Sequence, residues 1–199
     1  MVYVKDRNGC VSIGTAVTVA AQLTANAVVT KTLDCSPTTP NATITTTISG
    51  GRAPFDYTIT DSSSTVVASG TGITGPTIIY SAAVASTYTI VITDANGCQT
   101  TTSATVAPIA NPTVTVASQV NVSCNTGNDG SVTLTGSGGS GGYTYSNNAI
   151  SGFTSTATFG GLTAAGSPYT FYVRDNKECQ NSVTVTITEP ANALAASVT

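Results

Sequence analysis

Alternation of apolar and polar residues dominates the chain, and it is clearest in residues 88–98, YTIVITDANGC. Side chains of an extended strand point to opposite faces in turn, so Tyr88, Ile90 and Ile92 share one face and Thr89, Val91 and Thr93 the other. The strand runs into Asp94, Asn96 and Gly97, a hairpin-turn sequence in which Asp and Asn bond the turn backbone and Gly accepts positive φ. Cys98 follows. Two other stretches repeat the pattern. Residues 1–10, MVYVKDRNGC, place Asp6 and Gly9 where Asp94 and Gly97 stand; residues 169–179, YTFYVRDNKEC, place Asp175 and Cys179 likewise, with the turn glycine lost. Cys10 and Cys98 are 88 residues apart, and Cys98 and Cys179 are 81 apart. That period is too long for a solenoid repeat and fits a small domain with its own core.

Within the first period the alternation predicts strands at 23–29, 44–48, 55–59, 65–68, 77–80, 88–93 and 100–106. Ile44, Thr46 and Ile48 fall on one face, and so do Phe55, Tyr57 and Ile59. Glycine, proline and asparagine stand between the strands, notably at Gly50, Gly51, Gly70, Gly72, Gly75 and Pro76. The second period repeats this order, with strands at 120–124, 132–135, 143–145, 169–174 and 182–188, and a glycine-rich loop at 137–142. Many short strands without any helical period indicate an all-β fold of antiparallel sandwiches. Tyr88 and Tyr169 each head the penultimate strand of their period. This resembles the tyrosine corner of immunoglobulin-like sandwiches, in which the ring packs and the hydroxyl bonds nearby backbone. The expected organisation is therefore tandem: residues 1–21 as the closing hairpin of a preceding repeat, 22–110 and 111–190 as immunoglobulin-like repeats, and 191–199 as the start of a following repeat or a linker, in a chain cut from something longer.

Composition narrows the partners. Charged residues make up 8% and aromatic residues 6%, so the polar faces must be built from Thr, Ser, Asn and Gly. Six basic and nine acidic residues give a net charge of -3, which offers no basic stripe for nucleic acid or an anionic membrane. No apolar run is long enough to insert in a bilayer. Histidine is absent, and no Ser-x-x-Lys pattern replaces it, so no catalytic site, cofactor or metal centre is expected. The Asp94, Asn96 and Asp175 positions could be taken for calcium ligands, but nine scattered acidic residues leave too few carboxylates to gather, and the turn reading explains them.

Cysteine usage speaks to compartment. Cys35 and Cys98 open and close the first period, and Cys124 and Cys179 do the same in the second. Pairing within each period would close loops of 63 and 55 residues, each bridge contributing roughly 3 to 4 kcal/mol by the chain-entropy model. Cys10 is left unpaired, matching the closing cysteine of a pair whose partner lies upstream. The rival reading is five free thiols in a cytosolic protein.

Taken together, residues 122–124 (VSC), 128–132 (NDGSV), 137–145 (SGGSGGYTY), 88–98 and 188–190 (TEP) resemble the SprB-type repeats of very large surface adhesins from gliding bacteria. The second period matches closely. The first departs, with SPTTP at 36–40 in place of an Asn/Gly-rich opening and RAP at 52–54 in place of glycines. The resemblance implies an exported, extracellular protein displayed on the cell surface and moved along it during gliding motility. It also implies neighbouring repeats of the same chain as partners, and polysaccharide or other cell-surface material as the thing contacted. The expected function is a structural and adhesive repeat segment of a long filament. The alternative is a set of accessory β-sandwich modules on a secreted glycan hydrolase or peptidase. A third reading is direct carbohydrate binding by Tyr143, Tyr145 and Phe153 beside the glycine loop, against which alternation turns the two tyrosines toward the core.

Overall fold

A computed structural model describes residues 2–14 and 21–192, and every regular element in them is a β-strand. The chain divides into two compact units. Unit 1 comprises Met1–Thr32 and Ala42–Ala107; unit 2 comprises Leu33–Asn41 and Pro108–Thr199.

Unit 1 contains β1 (Thr24–Lys31), β2 (Ala42–Ser49), β3 (Phe55–Thr60), β4 (Val66–Ile73), β5 (Thr77–Ala82), β6 (Ser86–Thr93) and β7 (Gln99–Val106). All pairings are antiparallel, in one sheet of order β1-β2-β5 and another of order β4-β3-β6-β7. The inward positions alternate as the sequence predicts. Ile44, Thr46 and Ile48 of β2 are buried, as are Phe55 and Ile59 of β3 and Tyr88, Ile90 and Ile92 of β6. Hydrophobic burial of these side chains is what fixes the strand register, since a slip of one residue would turn each set to solvent. Residues 2–14 form a short hairpin closed by the Lys5–Val11 bridge and by Ser12 N–H donating to Val4 O at 2.8 Å. Residues 15–20 of the hairpin expected over residues 1–21 lie outside the described residues, as do residues 193–199 of the expected following repeat.

Unit 2 contains β8 (Pro112–Val120), β9 (Gly130–Gly138), β10 (Thr144–Ser146), β11 (Thr158–Leu162), β12 (Tyr169–Arg174) and β13 (Gln180–Val185). Its sheets run β11-β9-β8 and β10-β12-β13. Set against unit 1, β8, β9 and β11 take the places of β1, β2 and β5, and β10, β12 and β13 those of β3, β6 and β7. The counterpart of β4 is replaced by the irregular stretch between β10 and β11. One continuous core holds the unit, built from Val114, Val122, Val132, Leu134, Tyr145, Leu162, Phe171, Val173, Val185 and Ile187. The strand expected at 120–124 is a correction: β8 ends at Val120, and residues 121–129 are a loop. Val122 is buried as a strand residue would be, but its N–H donates to Thr188 O at 3.0 Å, outside any strand ladder.

Threonine builds the outer faces. Facing hydroxyls meet across the strands at Thr87–Thr105 (2.9 Å), Thr133–Thr158 (3.1 Å) and Thr170–Thr184 (3.3 Å). Such pairs stabilise a solvated sheet face without charge, which is how a chain with 8% charged residues covers its sandwiches.

Candidate functional site

The β6–β7 and β12–β13 turns are built alike. Asp94 is buried, and its Oδ1 accepts from the N–H groups of Asn96 and Cys98, both at 2.9 Å. Its Oδ2 reaches across to the loop after β2 and accepts from Arg52 N–H at 3.0 Å, while Ala95 N–H donates to Arg52 O at 2.9 Å. In unit 2 the Oδ1 of buried Asp175 accepts from Lys177 N–H at 2.9 Å and Cys179 N–H at 3.0 Å, and its Oδ2 from Ser140 N–H at 2.8 Å; Asn176 N–H donates to Gly141 O at 3.0 Å. One carboxylate thus closes its own hairpin and clamps a glycine-bearing loop. Asp6 has the hairpin half of the device, accepting from Asn8 N–H at 2.9 Å and Cys10 N–H at 2.8 Å.

Burial alone would raise the Asp94 carboxyl pKa, but hydrogen bonds from the N–H groups of Cys98, Arg52 and Asn96 outweigh it and hold the group below its ordinary 3.8. Gly97, at φ +82°, supplies the left-handed turn residue. In the third copy Glu178 takes positive φ (62°) at that place without being a glycine.

The two tyrosines share a role and differ in detail. Tyr88 is fully buried, packs its ring 5.3 Å from Tyr80, and donates its hydroxyl to Val84 O at 2.8 Å. Tyr169 stacks on Phe171 and joins Thr163, accepting from its N–H at 3.0 Å and donating to its carbonyl at 3.1 Å. Hydrogen bonds from the Thr163 hydroxyl and N–H lower the Tyr169 phenol from its ordinary pKa.

The aromatic residues beside the glycine loop are engaged within the unit. Tyr145 is buried and its hydroxyl accepts from Gly136 N–H at 2.9 Å. Tyr143 donates to Gly138 O at 2.6 Å, and Phe153 lies under the Arg174 guanidinium, 3.9 Å from the ring centroid. These side chains brace the loop and the sheet.

The cysteine pairing corrects the sequence reading. The structure joins Cys35 to Cys179, and Cys10, Cys98 and Cys124 are exposed thiols. The pairs Cys35–Cys98 and Cys124–Cys179 do not form. The reason is the path of the Leu33–Asn41 loop, which connects β1 to β2 yet belongs to unit 2. Cys35 N–H donates to Lys177 O at 2.9 Å, which sets Cys35 against the β12–β13 turn. Two residues that carried the resemblance, but for which the sequence suggested no role, hold the equivalent Cys124 loop: Asp129 accepts from Ser123 N–H at 3.0 Å, and Glu189 from Thr126 N–H at 2.7 Å. The Ser123 hydroxyl and N–H hold the Asp129 carboxyl below its ordinary 3.8.

Comparison with known proteins gives one family match: the SprB repeat family model matches residues 116–150, within the stretch that carries the resemblance. No curated protein matches the chain. Among solved structures, the C-terminal 282-residue fragment of intimin, in complex with the translocated intimin receptor intimin-binding domain, is similar at 14% identity and a TM-score of 0.37. That match covers 85% of this chain and 64% of the intimin fragment, so the chain spans less than two thirds of it. The fibronectin(III)-like modules of Clostridium thermocellum CbhA are similar at 15% identity and TM-score 0.32, covering 89% of this chain and 100% of theirs. DIP-gamma IG1+IG2 is similar at 11% identity and TM-score 0.37, covering 86% and 99%. These likenesses concern the β-sandwich fold alone.

Proposed function

We propose that the chain is a structural and adhesive repeat segment of a long extracellular cell-surface filament or adhesin, and that it carries no catalytic site. The SprB repeat match at residues 116–150 is the observation that carries this reading. The duplicated build supports it: unit 2 follows the strand order of unit 1 without the β4 counterpart, and both use the same Asp clamp. In this reading residues 22–110 and 111–190 are successive repeats, residues 1–21 close a preceding one, and residues 191–199 open a following one or link to it. The Cys35–Cys179 bridge accords with an oxidising, extracellular setting.

A filament that meets polysaccharide or other cell-surface material must keep its links folded in changing salt and among proteases. Uncharged threonine faces are indifferent to screening, which falls on charge pairs. In a gliding cell such a filament would be the part carried along the surface. The test uses antibody raised against the purified chain. Staining of intact, unpermeabilised source cells, lost after brief external protease treatment, is the expected result; signal only after permeabilisation overturns the reading.

A further inference from the structure

The structure contains one bridge and three exposed thiols, and their positions in the repeat follow a rule. Cys35 lies between β1 and β2, and Cys124 between β8 and β9; these are the opening cysteines. Cys98 closes the β6–β7 turn and Cys179 the β12–β13 turn, each donating its N–H to the clamp aspartate, Asp94 at 2.9 Å and Asp175 at 3.0 Å. The bridge therefore joins the opening cysteine of the first repeat to the closing cysteine of the second.

We propose that this is the unit step of a disulfide ladder, in which the opening cysteine of each repeat bonds the closing cysteine of the repeat that follows it in sequence. The proposal rests on the reading of the chain as part of an array. Cys98 then takes the opening cysteine of a preceding repeat, and Cys124 the closing cysteine of a following one. Cys10, at a closing position, takes a partner of the same kind as Cys98 does.

Two further observations point the same way. Beside Cys98 is an open cleft of about 320 Å³, lined by Gln22, Leu23, Asn96 and Gln99 among others. Around the equivalent turn in unit 2, residues Asp34, Cys35, Ser36 and Thr39 stand against Asn176, Lys177 and Glu178. The cleft beside Cys98 is thus the seat for a loop of the Leu33–Asn41 kind. The thiols also lie beside the residues by which the chain enters β1 and leaves β13. Cys98 shares its cleft with Ala21, through which the chain enters β1. The Cys124 loop is tied to the residues that leave β13, with Asn125 Nδ2 donating to Pro190 O at 3.1 Å and Thr126 N–H to Glu189.

The chemistry is thiol–disulfide exchange. A thiolate attacks an external disulfide, the second thiol displaces the mixed disulfide, and the two cysteines give up two protons and two electrons as the external disulfide leaves as two thiols.

The test begins with the 199-residue chain and its Cys35→Ser variant, refolded in a glutathione couple, alkylated and mapped by mass spectrometry. In the parent chain, Cys35–Cys179 is expected with the other three cysteines alkylated; in the variant, Cys179 becomes alkylated as well. A Cys35–Cys98 bridge in the parent, or a Cys124–Cys179 bridge in either protein, overturns the ladder. The second protein carries residues 111–190 again directly after residue 190. Its Cys124 should then bond the added copy's closing cysteine, and its alkylation should fall at least tenfold relative to the 199-residue chain. Undiminished alkylation of Cys124 in a folded extended protein, as judged by circular dichroism, overturns the proposal. The outcome is separable from surface staining: a ladder in a protein found inside the cell would sink the location and leave the pairing rule standing.

Discussion

A single carboxylate at the end of the penultimate strand is asked to satisfy backbone donors on two loops at once. Asp175 accepts three N–H groups, and an amide in its place could keep two on its oxygen but would turn an NH2 donor toward Ser140 N–H. Asp175→Asn should therefore destabilise unit 2 by about 1–3 kcal/mol, the cost of a part-buried donor left unpaired; urea denaturation monitored by tyrosine fluorescence measures it, and a change within error would mean that water reaches Ser140. Asp94 adds a dependence on pH. Its folded pKa lies below the ordinary 3.8, so its stabilisation is fully present above that value and is lost as pH falls through the lower folded pKa. An acid titration of unit 1 stability should steepen below about pH 4 and flatten there in Asp94→Asn; identical slopes would remove the linkage. Tyr88→Phe tests the other device, since it deletes the hydroxyl's bonds to Val84 O and to the Tyr80 side chain in a fully buried ring. The expected loss is about 1 kcal/mol, read as a shift of the urea midpoint with unchanged slope.

At the scale of elements, the glycine loop shows what the clamp demands of its partner. Gly139 has φ +57°, and a Cβ there would lie 2.6 Å from Asp175 Oδ2 and 3.0 Å from Pro112 N. Gly141 has φ +71° but open space around it. Gly141→Ala should cost only the left-handed strain of about 1–2 kcal/mol, whereas Gly139→Ala adds displacement of the clamp and should cost more. Equal losses from the two would show that the carboxylate moves aside freely. This contrast also marks how far the sequence could be read. Alternation located β2, β3, β6 and β12 because one face of each is buried, and the DxNG and glycine signals marked turns whose residues have few other uses. The crossing bonds to Arg52 and Ser140 left no signal, because the donors are backbone N–H groups that any residue supplies. Residues 120–124 misled for a related reason: only Val122 among them is buried, and apolar residues at alternate positions over five residues do not distinguish a strand from a loop with one inward side chain.

At the scale of the whole chain, spacing alone could not decide the cysteine pairing. Each of the two full periods in the sequence carries an opening and a closing cysteine, so a bridge within a period and a bridge from one period to the next use the same two kinds of residue. What decides is that the loop after β1 is folded into unit 2, a tertiary fact with no local mark in residues 33–41. The consequence is energetic. The Cys35–Cys179 bridge spans a sequence separation of 144, more than twice that of either pairing expected from the sequence. By the chain-entropy model it removes up to about 5 kcal/mol of freedom from the unfolded chain. All of β2 to β7 lies inside the closed loop, so the Ala42–Ala107 part of an unfolded unit 1 is held by both ends while the bridge and unit 2 persist. Both units should accordingly feel its loss. With Cys10, Cys98 and Cys124 replaced by Ser to prevent exchange, reduction should lower the summed unfolding free energy by up to that amount, and thermal scans should show the transitions of both units moving down. Movement of one transition alone would mean that the Leu33–Asn41 loop releases unit 1 on unfolding even when oxidised, and equal stability of the two forms would mean that the reduced unfolded chain already keeps residues 35 and 179 close.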